Sequence, residues 1–92
     1  MQFEWDEEKA AANLKKHGVG FDEAGTVFGD SLARIFDDET HSLDEKREII
    51  IGRSAENRLL IISFTEKEDD TVRIISARET TPKERRKYEN AG

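Results

Sequence analysis

Val72-Arg73-Ile74-Ile75-Ser76-Ala77-Arg78 runs directly into Glu79-Thr80-Thr81-Pro82-Lys83-Glu84-Arg85-Arg86-Lys87-Tyr88. The first stretch reads as a β-branched, apolar strand and the second as a basic helix. Thr81 is placed to cap that helix, with Pro82 at its first position and Glu84 completing a Thr-x-x-Glu capping box. Six basic residues and three acidic ones fall between residues 71 and 92, a local charge of +3 in a chain of net charge −6. Separated charge of this kind points to a surface that faces a polyanion.

The same strand-and-cap reading extends upstream. Arg47 to Ser54 and Arg58 to Thr65 form two further strands, joined by a short turn at Ala55-Glu56-Asn57. Lys67 to Asp70 makes a charged turn into the last strand, Thr71 to Ala77. Leu32 to Phe36 is an additional strand, followed by a polar loop from Asp37 to Glu45. Near the N-terminus, Asp6 caps a helix that runs to about His17, with Glu7 and Glu8 favourably placed in its first turn. Gly18 suits the left-handed position that ends it. A shorter helix spans roughly Phe21 to Phe28 and stops at Gly29. The expected fold is α+β in a single domain over residues 1–92. Two N-terminal helices precede an antiparallel sheet of about four strands, and a C-terminal helix follows.

Strand parity divides the side chains. Even positions Ile50, Leu60, Ile62, Phe64, Val72 and Ile74 make an apolar face that packs on the helices. The odd positions mix Arg47, Arg53, Ser63, Thr65 and Arg73 with Ile49, Ile51, Ile61 and Ile75, which is a face suited to binding. A one-residue slip in register would scramble this division.

Composition excludes several classes. The chain has no cysteine, so disulfides and thiolate metal sites are absent and a reducing cytosol fits. Met1 to Asp6 lacks the basic start and apolar run of a signal peptide, and the longest apolar run, Leu59 to Ile62, is too short to span a bilayer. The expectation is a cytoplasmic protein. No phosphate-cradling glycine loop, zinc-protease motif or nucleophile elbow occurs. Asp37-Asp38-Glu39 beside His41 has metal-ligand residue types, but acidic loops are commonly solvated, and neither a metal nor another cofactor is expected. His17 at a helix C-terminus and His41 in a loop have simple structural uses, and also titrate nearest neutral pH as general acid or base. Arginine within a strand is a less ordinary choice. Arg47, Arg53 and Arg73 could pair with Glu48 or Glu66, or bind phosphate bidentately.

Phe3-Glu4-Trp5-Asp6, Lys16-His17-Gly18-Val19, Phe21-Asp22-Glu23-Ala24, Phe28-Gly29-Asp30, Arg58-Leu59-Leu60 and Arg73-Ile74-Ile75-Ser76-Ala77-Arg78 resemble the BrnT-type toxins of bacterial type II toxin–antitoxin systems. The resemblance runs from Phe3 to Tyr88. It implies a RelE-like fold and an endoribonuclease that inhibits translation by RNA cleavage. The partner it implies is a cognate antitoxin that binds DNA as a dimer, giving a toxin–antitoxin hetero-oligomer with no membrane involvement. For a metal-independent cleavage, Arg47, Arg73 and Arg78 would stabilise charge and His17 or His41 would transfer protons. Arg53, Lys83 and Arg86 would hold the RNA backbone. The alternative is a non-catalytic module, or an inactive homologue, that uses the same face only to dock an antitoxin-like partner. The acidic overall balance departs from what an RNA-cutting toxin leads one to expect, since phosphate affinity follows Lys and Arg contacts.

Overall fold

The computed structural model describes residues 1–38 and 46–90. Strand β1 (Gln2–Glu4) leads into helix α1 (Glu7–His17), helix α2 (Phe21–Thr26) and a 3-10 turn at Val27–Gly29. Strands β2 (Arg34–Asp37), β3 (Glu48–Arg53), β4 (Leu59–Lys67) and β5 (Thr71–Glu79) follow, and helix α3 (Pro82–Glu89) ends the described chain.

The helix ends obey their local chemistry. The Asp6 carboxylate accepts hydrogen bonds from the Glu8 and Lys9 amides, and Gly18 closes α1 at φ 70°. Thr81 and Glu84 make the reciprocal capping box at the start of α3. The second helix is shorter than the sequence implies, because its last turn tightens to 3-10 geometry.

Among the described residues the sheet has five strands in the order β1-β5-β4-β3-β2, one more than the sequence predicts. The additional strand is β1, which pairs with β5 in parallel, Phe3 against Val72. The sheet is therefore mixed rather than wholly antiparallel. The other neighbours are antiparallel, with Ile50 opposite Ile62 and Ile62 opposite Ala77.

The even-numbered residues of β3 and β4 do face the helices. Ile50, Leu60, Ile62 and Phe64 form one buried cluster with Val19, Phe21, Ala24 and Val27. Aromatic contacts extend it, with Phe28 edge-on to Phe64 at 5.0 Å and Trp5 edge-on to Phe21 at 6.0 Å. Gly52 is required here, because a Cβ at that position would meet the Ala33 Cβ at 2.9 Å.

Two polar anchors bind the helices to the sheet. The buried Asn13 amide donates to the Val19 and Ala77 carbonyls and accepts from the Ala77 amide, tying α1 to β5. Glu23 in α2 accepts from the Arg58 guanidinium and from Ser54 Oγ, while Arg58 also donates to the Gly18 carbonyl at the end of α1. Strong hydrogen bonding from Arg58 outweighs burial and holds the Glu23 carboxyl at about 2.

Candidate active site

A β-bulge decides which side chains meet on the odd face. Ser63 pairs with Ser76 and Phe64 pairs with Ile74, so Ile75 is the extra residue. Beyond the bulge the parity of β5 reverses. Ala77, an odd position, turns into the core, and Ser76 and Arg78 join Ser63 and Ile61 on the other face. Unbroken alternation would have sent Arg78 to the core side.

The result is a cleft of about 370 Å³ lined by Arg47, Arg78, Ser63, Ser76, Ile49 and Ile61, with Asp38 and Ile75 completing its wall. The two arginines supply its positive charge, and the serines supply hydroxyls over an isoleucine floor. Arg47 Nε is buried and has no hydrogen-bond partner among the described residues. A buried guanidinium N–H without an acceptor is costly, and a ligand oxygen would relieve that cost. Thr65 stands beside Arg47 and donates from Oγ1 to the Lys46 carbonyl at 2.8 Å, which fixes the chain just before β3.

Arg78 has a defined orientation. Both its Nη atoms donate to the Glu84 carboxylate at 2.8 Å, and Nη1 also reaches the Glu79 carbonyl at 3.2 Å. Arg78 lowers the Glu84 carboxyl to about 2 against the opposing effect of burial, and Glu84 in turn raises the Arg78 pKa. Helix α3 packs against β3, and Ile51 is buried although it faces away from the main core. The odd face is thus partly covered by the protein's own C-terminal helix.

The sequence-predicted site residues separate into three groups. Arg47 and Arg78 come together in the cleft. Arg73 lies on the other side of the bulge, opposite Thr65, and forms an ion pair with Glu4 of β1 at 2.6 Å, not with Glu48 or Glu66. Of the remaining site residues, the described ones, His17, Arg53, Lys83 and Arg86, do not line the cleft. His17 ends α1, which packs on the opposite side of the sheet. Arg53 donates from Nη1 to the Asn57 carbonyl in the β3–β4 turn, and its amide donates to Asp30. Arg53 lies six residues along the chain from Arg47, roughly 20 Å at the rise of a strand. Lys83 and Arg86 line a different groove, between β2 and α3. His41 lies outside the described residues, as does Glu39 of the acidic loop considered for a metal. Among the described residues, no cluster of three His, Asp or Glu side chains could hold a metal ion.

Sequence reasoning raised Asp38 only as a metal-ligand type in the acidic loop, and it did not raise Ser76 as a site residue. Ser63 was visible as an odd-face hydroxyl, whereas Ser76 needed the bulge. The Glu23–Arg58 pair carried no sequence signal, since its members are 35 positions apart and on different elements.

A mixed sheet backed by two helices, with an arginine-lined cleft beside a C-terminal helix, is the architecture of a small α+β protein. The chain belongs to the BrnT family of ribonuclease toxins of type II toxin–antitoxin systems, whose profile it matches over residues 5–84. The fold is similar to that of the Brucella abortus ribonuclease toxin BrnT, known from a 1.1 Å crystal structure. The two share 24% sequence identity and a TM-score of 0.68 over 88% of this chain and 97% of that one. A search of curated proteins found no match. The protein is accordingly a ribonuclease toxin whose system includes an antitoxin. Among the described residues, no helix is long and apolar enough to cross a membrane.

Proposed function

We propose that the Arg47–Arg78 cleft is where RNA is cut, by a metal-independent endoribonuclease reaction that inhibits translation in the cytoplasm. The observation that carries this reading is the buried Nε of Arg47, without a hydrogen-bond partner among the described residues, in a cleft with a second, pre-oriented arginine. In the reaction, a base removes the proton from a ribose 2′-hydroxyl and its oxygen attacks the adjacent phosphorus. The P–O5′ bond breaks, and the departing oxygen takes up a proton. The products are a 2′,3′-cyclic phosphate and a free 5′-hydroxyl. Charge builds on the phosphoryl oxygens in the transition state, and fixed cations there are worth most. Arg47 supplies its Nε–H to those oxygens. Arg78 is held by Glu84 and adds positive potential without needing to reorganise. We assign proton transfer to His41, three residues along the chain from the cleft-lining Asp38, rather than to His17, which the sheet separates from the cleft.

We assign Arg73, on the side of Thr65 away from Arg47, to contact with the RNA backbone. The antitoxin of the reading is a DNA-binding dimer that forms a hetero-oligomer with this chain.

Cleavage of RNA by the purified chain in excess EDTA, giving cyclic-phosphate ends, is the expected result. Arg47→Ala lowers the rate roughly 100-fold or more, the scale for loss of a transition-state donor, with its melting temperature unchanged. Cleavage that requires added magnesium, or full activity in Arg47→Ala, overturns the assignment.

A further inference from the structure

The groove between β2 and α3 has a volume of about 840 Å³ and is distinct from the cleft. It is lined by Ala33, Arg34, Ile35 and Phe36 on the β2 side and by Lys83, Arg86 and Lys87 on the α3 side; Arg34 and Phe36 share the face of Ile51 and Ile49, while Ile35 takes the other face with Ile50. Ile35 is 53% exposed and Phe36 is 38% exposed, which is unusual for adjacent large apolar residues in a strand. Lys87 Nζ stands 5.6 Å from the centre of the Phe36 ring.

Strand β2 is also the end of the sheet, with no described strand beyond it. Its hydrogen-bond phase follows from the register. The Asp38 amide donates to the Arg47 carbonyl at 3.0 Å, and Asp37 lies opposite Glu48. Bonded pairs alternate in an antiparallel ladder, so Phe36 and Arg34 bond to β3 while Ile35 and Asp37 direct their N–H and C=O groups outward. Edge strands of this kind are templates for another strand unless blocked.

We propose that this groove docks the antitoxin, through an acidic, apolar-anchored segment that adds to the outer edge of β2. This rests on the family's antitoxin partnership, and it places that partner away from the cleft residues. The occupant is chosen by charge and polarity together. Four cations converge on this groove in a chain whose net charge is −6, so a partner with carboxylates gains at this rim. The exposed Phe36 ring and the open strand edge match an apolar side-chain anchor and a peptide backbone, the recurring pattern of strand addition. RNA would bring phosphates to the rim but nothing to pair with the Ile35 backbone.

Ile35→Pro tests the proposal, since it removes the outward N–H without breaking a bond to β3. Arg34→Glu/Lys87→Glu is a second variant that reverses the rim charge without altering the edge. The probe is the antitoxin encoded beside the toxin gene, titrated against full-length toxin by calorimetry, with RNA cleavage of the free toxin measured in parallel. Each variant that melts as the wild type does is expected to lose roughly 100-fold in antitoxin affinity and to keep wild-type cleavage. Unchanged affinity in the charge-reversed variant overturns the proposal. So does a loss of cleavage with affinity retained, which would make the groove an RNA surface. A wild-type toxin that self-associates through β2, and becomes monomeric with Ile35→Pro while still binding antitoxin, also overturns it. Failure of wild-type toxin to cut RNA would count against the cleft alone, because the binding titration does not depend on catalysis.

Discussion

Arg78 in β5 and Glu84 in α3 form a two-pronged ion pair in which both guanidinium Nη atoms donate at 2.8 Å to separate carboxylate oxygens. The same carboxylate accepts the Thr81 amide at 2.9 Å, so one side chain both caps α3 and orients a cleft arginine. The last helix is therefore coupled to the geometry of the cleft.

Glu84→Gln should lower stability by about 1 kcal/mol, a value reduced for solvent screening because the Arg78 side chain is 40% exposed. RNA cleavage should fall as well, because Arg78 loses its fixed orientation. Denaturant unfolding and cleavage rates on the same preparation check both effects.

Stability should decline as pH falls from about 4.5 towards 2. Glu84 and Glu23 both have folded-state pKa values near 2, against 4.5 for the free side chain. A depressed carboxyl pKa contributes stability above its unfolded value and loses that contribution as pH falls through the folded value. Urea unfolding across this pH range should show the loss, and Glu84→Gln should remove part of it.

Glu23→Ala should be among the more damaging single substitutions. The Glu23 side chain is 7% exposed, and its removal leaves Arg58 and Ser54 without their shared acceptor. Breaking a buried pair costs 3–5 kcal/mol, and the partial exposure of Arg58 brings the expected cost to about 3 kcal/mol. A Glu23→Leu/Arg58→Met double variant should cost less than the sum of its two single changes. An additive result in chemical denaturation would show that the residues act independently.

Asn13→Leu should cost about 2 kcal/mol or more, because the Ala77 amide and carbonyl and the Val19 carbonyl lose a buried partner together. Hydrogen exchange should then show early opening of α1 against β5, with the β3–β4 pairing retained.

Arg73→Ala should reduce cleavage less than Arg47→Ala does. Arg73 already has Glu4 as a partner, whereas Arg47 Nε has none among the described residues. Equal losses in single-turnover assays would place both arginines at the reacting phosphate.

Much of the scaffold was legible in residues with one strong local preference. Asp6, Gly18 and the Thr81–Glu84 box marked helix ends because each satisfies orphaned backbone groups within a few residues. Alternation in β3 and β4 identified Ile50, Leu60, Ile62 and Phe64 as core. Gln2–Glu4 escaped notice because three residues show no period, and its pairing to β5 is set by tertiary contact some 69 positions away. The cleft was only half readable. Arg47 followed from parity, but the meeting of Ser76 and Arg78 with it depends on the extra residue at Ile75, which parity cannot detect. Ile51 looked like open surface until α3 proved to cover that region.

Strand β5 lies between β1 and β4, so within the sheet residues 2–4 reach the other strands through a segment some 69 positions further along. This imposes an order on biosynthesis. Until residue 79 is available, Phe3 has no strand to align with and α1 has no Ala77 to bind through Asn13. A chain that stops before β5 lacks Ser76 and Arg78 and so lacks the cleft. The cleft can therefore assemble only once β5 has been synthesised.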